Sequence, residues 1–243
     1  MATIWILDDD PEQLDLLAFV LRRDGFDAAG FESGSSLLAA LAERTPDLLI
    51  LDLVLPGVGG LEILERVRAM PAMGAIPIIM LTASSQMADR YRSLAAGCDD
   101  FLTKPVDHLE LVLRVKTRLR AATAPSGAPP AGAADGAGSP DPMLEVWPVV
   151  LDMRLHQVIV GERRARLTPS EFAVLRYLME RPGEPVSVET LLVAALDYPP
   201  RLGSPETVRN HLRNLRSKVE SDPANPRLIV NVPRIGYMFT PGA

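Results

Sequence analysis

The first 120 residues alternate short apolar runs with longer stretches in which apolar residues recur at helical spacing. Thr3–Leu7, Phe26–Phe31, Asp47–Leu51, Ile76–Leu81 and Asp100–Thr103 read as strands. Between and after them, Pro11–Arg23, Ser35–Arg44, Leu61–Met70, Met87–Ala96 and His108–Arg120 read as helices. Asp10 stands before Pro11, an N-cap followed by proline at the first helical turn. Regular alternation of this kind predicts an α/β domain, a parallel sheet covered on both faces by helices. Ligands of such sheets gather beyond the carboxyl ends of the strands.

The pattern stops at Ala121. Residues 121–142, AATAPSGAPPAGAADGAGSPDP, have no periodicity and nothing large to bury, which predicts a linker between a domain at 1–120 and another at 143–243. The second domain opens with three strand-like runs, Leu144–Met153, His156–Gly161 and Arg163–Leu167. A helix follows, with Thr168 and Glu171 placed as a capping box around Pro169. A short helix lies within Val186–Leu196, capped by Ser187, and a third runs from Ser204 to Glu220. Alternation in Arg227–Phe239 predicts a terminal β-hairpin turning at Pro233–Gly236.

Composition changes this picture little. An apolar share of 47% and a charged share of 23% are those of a globular protein. No apolar run approaches the 18 or so residues that span a bilayer, so no membrane partner is expected. The N-terminus lacks a basic segment followed by a long apolar core, and the single Cys98 excludes an internal disulfide; both favour a cytoplasmic protein. Charge does add something. Residues 1–120 carry 12 cations against 18 carboxylates, and residues 143–243 carry 13 against 11. An acidic first domain is joined to a mildly basic second one.

The strand ends carry the candidate chemistry. Asp8, Asp9 and Asp10 follow the first strand, Asp52 the third, Thr82 the fourth and Lys104 the fifth. Capping accounts for Asp10, but not for a carboxylate at the exit of the apolar run Leu48–Leu51, nor for a lysine two strands away. Phosphoryl transfer onto a carboxylate fits this set. Asp52 would be the nucleophile, and Asp8, Asp9 and Asp52 would hold a hard cation such as Mg²⁺. Lys104 and the Thr82 hydroxyl would stabilise the remaining phosphoryl oxygens.

These residues, with "LVLPG" after Asp52, Thr82-Ala83 and Lys104-Pro105, resemble the receiver domain of two-component response regulators over residues 3–120. The resemblance implies phosphorylation of Asp52 by a sensor histidine kinase, with the Val54 backbone carbonyl as a further metal ligand. It implies a switch in which Thr82 moves toward the phosphoryl group and Phe101 turns inward. It also implies a homodimer on phosphorylation, built on Arg90, Leu94, Asp99, Asp100, Glu110 and Arg114. The expected cross-subunit pairs are Arg90 with Glu110, and Asp99 or Asp100 with Arg114. Neither Val54 nor Ser84, two places beyond Asp52 and Thr82, offers a carboxylate or amide to orient water, so slow self-hydrolysis is expected rather than enzymatic turnover.

In the second domain, Val208, Leu212, Leu215 and Val219 form a narrow apolar stripe on the third helix. Arg209, Asn210, His211, Arg213, Asn214, Arg216 and Lys218 fall outside it, a set suited to phosphates and base edges of double-stranded DNA. "LTPSEFAVLRYL", "TVRNHLRNLRSKVE", "DPANPRLI" and "IGYMF" resemble the winged helix-turn-helix of the OmpR/PhoB family, an α+β unit. That implies a recognition helix at Ser204–Glu220 and a wing bearing Arg234 near the minor groove. The sequence departs from the family at "VPRIGY", at Asn210, and at "ALDYPPRLGS", which replaces a Trp-Gly loop that contacts RNA polymerase in relatives. The whole implies a phosphorylation-controlled transcriptional regulator. A constitutive DNA-binding regulator, an aspartyl-phosphate phosphatase and a scaffold without DNA binding are the competing readings.

Overall fold

The structure is a computed structural model, and it describes residues 1–70, 73–83, 93, 96–123, 143–199 and 203–242. In the first domain β1 (Thr3–Leu7), β2 (Asp27–Phe31), β3 (Leu48–Asp52), β4 (Ile78–Thr82) and β5 (Asp100–Thr103) form one parallel sheet in the order β2-β1-β3-β4-β5. Helices α1 (Pro11–Arg23), α2 (Gly34–Glu43), α3 (Gly60–Ala69) and α4 (His108–Thr123) cover it. The fourth helix expected from sequence, Met87–Ala96, lies almost wholly outside the described residues, as do Arg90 and Leu94.

Strand period places alternate residues on opposite faces. Ile4, Ile6, Leu48, Ile50, Ile79 and Leu81 pack with α1 and α4 in one core. Trp5, Leu7, Leu49, Leu51, Ile78 and Met80 pack with α2 and α3 in another. β3 is therefore buried along its whole length, and its apolar run reflects a central position. The order reverses between β1 and β3, which opens a crevice beyond their carboxyl ends.

The second domain begins with a four-stranded antiparallel sheet, β6 (Met143–Val146), β7 (Val149–Asp152), β8 (Gln157–Val160) and β9 (Arg163–Arg166). The run Leu144–Met153, expected as one strand, is two, because Trp147-Pro148 makes the hairpin turn. α5 (Pro169–Met179) starts on the expected Thr168–Glu171 capping box. α6 (Val188–Thr190) continues into a π turn at Leu191–Ala195, and α7 (Pro205–Val219) precedes the hairpin β10 (Ile229–Val232)–β11 (Gly236–Phe239). Gly236 has φ +154°, and a β-carbon there would stand 2.0 Å from the Val186 carbonyl oxygen. Only glycine lets the wing lie this close to the α5–α6 connection, where Tyr237 and Val186 exchange backbone hydrogen bonds.

Candidate phosphoacceptor site and domain interface

β1 delivers Asp8 fully buried and Asp9 exposed, β3 delivers Asp52 buried, and β4 delivers Thr82 buried. Lys104, just past β5, reaches back between the carboxylates. Its Nζ donates to Asp8 Oδ2 at 2.8 Å and, more tightly, to Asp52 Oδ2. Asp52 Oδ1 accepts from the Val54 N–H at 3.1 Å, and Asp8 Oδ1 from the Asp10 N–H at 3.1 Å. The β3–α3 connection folds tightly beneath this cluster: a β-carbon on Gly60 would lie 1.8 Å from the Asp52 carbonyl oxygen.

Burial raises the Asp8 pKa above the ordinary carboxylate value, against the lowering pull of the Lys104 hydrogen bond. Burial also works against the Lys104 charge, but hydrogen bonds to Asp52 and Asp8 prevail and raise its pKa. Carboxylate oxygens of Asp8, Asp9 and Asp52 lie within 4.8 Å of one another. An all-oxygen donor set of this span fits a hard divalent cation, and a single ammonium leaves the cluster anionic.

The predicted dimer face is engaged within the chain instead. Asp100 Oδ1 and Oδ2 accept from Arg114 Nη1 at 3.1 and 3.0 Å, and Glu110 accepts from the same guanidinium at 2.6 and 3.0 Å. In the single chain, Asp100, expected to pair with Arg114 across a dimer, is held by its own Arg114. Asp99 points inward, accepting from Arg68 Nη2 at 2.7 Å, the Ile78 N–H at 2.9 Å and the Ser170 N–H at 3.1 Å.

The last of these bonds crosses to the second domain, and others join it. Tyr198 Oη donates to Asp100 Oδ1 at 2.6 Å, buried beneath the guanidinium groups of Arg114 and Arg118. Arg118 is 1% exposed, donating to Ser170 Oγ and the Leu196 carbonyl, each at 3.1 Å. Arg120 pairs with Asp197 at the rim. Sequence reasoning missed Tyr198, Arg118, Ser170 and Arg68. The available signal was Arg118 one helical turn beyond Arg114, which extends a cationic row along α4.

A cleft of about 540 Å³ continues this interface, with Arg68 and Gly97 on one wall and Asn214, Ser217 and Lys218 of α7 on the other. Part of the α7 face expected to read DNA is therefore turned toward the first domain. Asn210 and His211, expected on the outer face, are buried at 2% and 1% exposure. Asn210 Nδ2 donates to the Glu206 carbonyl at 2.9 Å, while His211 lies among charges of both domains. Arg216, half-buried, donates twice to the Ile229 carbonyl, at 3.0 and 2.8 Å, and braces the wing. Lys218 pairs with Glu171 at 2.5 Å. Arg209, Arg213 and Arg234 are exposed and Asn214 is half-exposed, with Arg209 paired to Glu206 on the same helix.

A sheet-end carboxylate cluster holding a lysine, joined to a winged helix, defines a receiver coupled to a DNA-binding module. Comparison with known proteins agrees. Residues 4–116 match the family "Response regulator receiver domain" and residues 161–239 match "Transcriptional regulatory protein, C terminal". The chain is 36% identical over 239 residues to Sensory transduction protein RegX3 of Mycolicibacterium smegmatis, covering 98% of each. It is 35% identical to DNA-binding response regulator MtrA of the same organism, covering 98% of this chain and 96% of that one. The crystal structure of response regulator DrrB, a Thermotoga maritima OmpR/PhoB homologue, aligns over 99% of both chains at 27% identity with a TM-score of 0.50. The chain belongs to the OmpR/PhoB family of two-component response regulators.

Proposed function

We propose that Asp52 accepts a phosphoryl group from a sensor histidine kinase and that this event frees the second domain to bind promoter DNA. Asp8, Asp9, Asp52 and the Val54 carbonyl would hold Mg²⁺, which would offset the repulsion between the nucleophile and the incoming phosphoryl oxygens. Asp52 supplies the attacking oxygen. Lys104 keeps its proton throughout and turns from the carboxylate to the phosphoryl oxygens, joined by the Thr82 hydroxyl. Phe101, half-buried against the α2–α3 core, follows Thr82.

The observation that carries this reading is the length of β5. Lys104, which grips Asp52, and Asp100, which holds Tyr198 of the other domain, are separated by one four-residue strand. A shift of Lys104, Thr82 and Phe101 on phosphorylation is delivered directly to the domain interface. Release exposes the Asp100–Arg114–Glu110 face for a second receiver, and the Asp197–Tyr198 loop for RNA polymerase. The protein acts in the cytoplasm; none of its described helices is long and apolar enough to cross a membrane. Its only phosphoryl chemistry is self-directed, and hydrolysis is slow. Promoter affinity is to be titrated with and without an acyl-phosphate donor, with sedimentation in parallel. Tighter binding and dimer formation with the donor are expected, and identical titrations reject phospho-control.

A further inference from the structure

His211 lies on the helix that reads DNA, yet it is buried where the two domains meet. Among the described residues, its Nε2 has no hydrogen-bond partner. The charges that act on it belong to both domains: Asp99 and Asp100 at the head of β5, Arg118 of α4, and Glu171 of α5. Arg68 of α3 and Lys218 of α7 are charges one step further out, bound to Asp99 and Glu171.

The nearby carboxylates are already committed. Asp99 serves Arg68 and two backbone N–H groups, Asp100 serves Arg114 and Tyr198, and Glu171 serves Lys218 and the Thr168 N–H. An imidazolium here would carry an N–H aimed at nothing, beside the buried Arg118 cation. Such a charge is costly to bury. Parting α7 from the receiver would take the Arg118 cation away from the ring and, on this proposal, admit water to it.

We propose that His211 is an acid-sensitive release between the domains: the imidazolium is accommodated only when α7 leaves the receiver, so falling pH opens the chain without phosphorylation. Burial, the dominant influence, holds the docked His211 pKa below the ordinary value of 6.5, against the raising pull of Asp99 and Glu171. A histidine with a lower pKa in the docked form makes docking strongest above its free pKa. Docking then weakens by up to about tenfold per pH unit as pH falls from about 6.5 toward the docked value. The released cation also lies on the face that approaches DNA, which adds phosphate attraction in the same direction.

The inference rests on the domain interface and not on phospho-control, so its test uses no phosphodonor and no promoter. Small-angle scattering of the full chain between pH 8 and 5.5 should show expansion below about pH 6.5, reversed on return to pH 8, and repeated in the Asp52→Ala chain. His211→Gln, which keeps a neutral polar side chain, should stay compact throughout. A wild type of constant size, or equal expansion of His211→Gln, overturns the proposal. NMR titration of His108, His156 and His211 provides a measurement on the unmodified histidine. The His211 midpoint should lie below 6.5 in the wild type and rise toward it in Arg118→Ala, where the interface is weakened; an unchanged midpoint also overturns the proposal.

Discussion

Tyr198 and Asp100, 98 positions apart in the chain, meet through a 2.6 Å hydrogen bond that is buried between the two domains. Asp100 also accepts from Arg114 Nη1 through both of its oxygens and lies 3.5 Å from Arg118 Nε. One carboxylate thus faces two receiver cations and accepts the hydrogen bond that joins it to the DNA-binding domain.

Tyr198→Phe removes that anchor and leaves the ring in place. A buried hydrogen bond to a charged group contributes about 1.5–3 kcal/mol. The unphosphorylated variant is expected to bind duplex DNA about tenfold tighter than wild type, with little further gain on addition of acyl phosphate. Electrophoretic mobility titrations check this, and a variant that still needs phosphorylation for tight binding contradicts it.

Removing Lys104 leaves the Asp8–Asp52 pair without its ammonium. Breaking such a partly buried pair should cost about 1–3 kcal/mol of receiver stability, less than a fully buried pair because Lys104 retains some contact with solvent. Lys104→Met should show a lower urea midpoint than wild type, and added Mg²⁺ should restore more of it than it adds to wild type. Equal metal effects in the two proteins would show that Lys104 and the ion act independently.

The raised pKa of Asp8 would set a pH limit for a cation held by the Asp8–Asp9–Asp52 cluster. Its folded value lies above 3.8, so the protonated form is favoured by folding and that contribution is lost as pH rises through the folded value. Metal binding runs the other way, because a ligand oxygen must be free of its proton. Calorimetric titration should show Mg²⁺ affinity declining from a higher pH than an ordinary aspartate would give, and Asp8→Asn should remove the steeper part of the decline.

Two arginines on α7 should separate cleanly. Arg213→Ala, at an exposed position, is expected to weaken DNA binding, lower the slope of affinity against salt by about one, and leave stability unchanged. Arg216→Ala loses two hydrogen bonds to the Ile229 carbonyl and a cation–ring contact with Tyr237, and should lower the melting temperature. Thermal unfolding and binding at several salt concentrations distinguish the two.

The wing depends on Gly236. Gly236→Ala combines an unfavourable φ with a β-carbon driven into the Val186 carbonyl, and should cost about 2 kcal/mol or more. Hydrogen exchange at Tyr237 and Val186 is the local readout, since their mutual backbone bonds hold the wing.

Much of this was legible in sequence because periodicity and short-range chemistry determine it. Thr3–Leu7, Pro11–Arg23 and Asp100–Thr103 appear with the bounds the pattern predicts, and the Thr168–Glu171 box caps its helix. Asp8, Asp9, Asp52 and Lys104 converge because a parallel sheet aligns its strand ends. Contacts between domains carry no such period. Nothing local in "LDYPP" says that Tyr198 will seek Asp100, and a helical wheel places His211 and Asn210 without knowing what covers them. Arg216 looked like a reader of DNA because the return of β10 to α7 is a tertiary fact.

A second receiver that used the proposed Asp100–Arg114 face would compete with the docked domain for the same surface. The docked domain is tethered through residues 124–142, and a short tether holds its partner at an effective concentration in the millimolar range. A receiver–receiver contact of ordinary micromolar strength would lose to it at cellular protein levels. On the proposed mechanism, lengthening this segment should make the receiver dimer form at lower protein concentration without changing a single contact, which sedimentation would read.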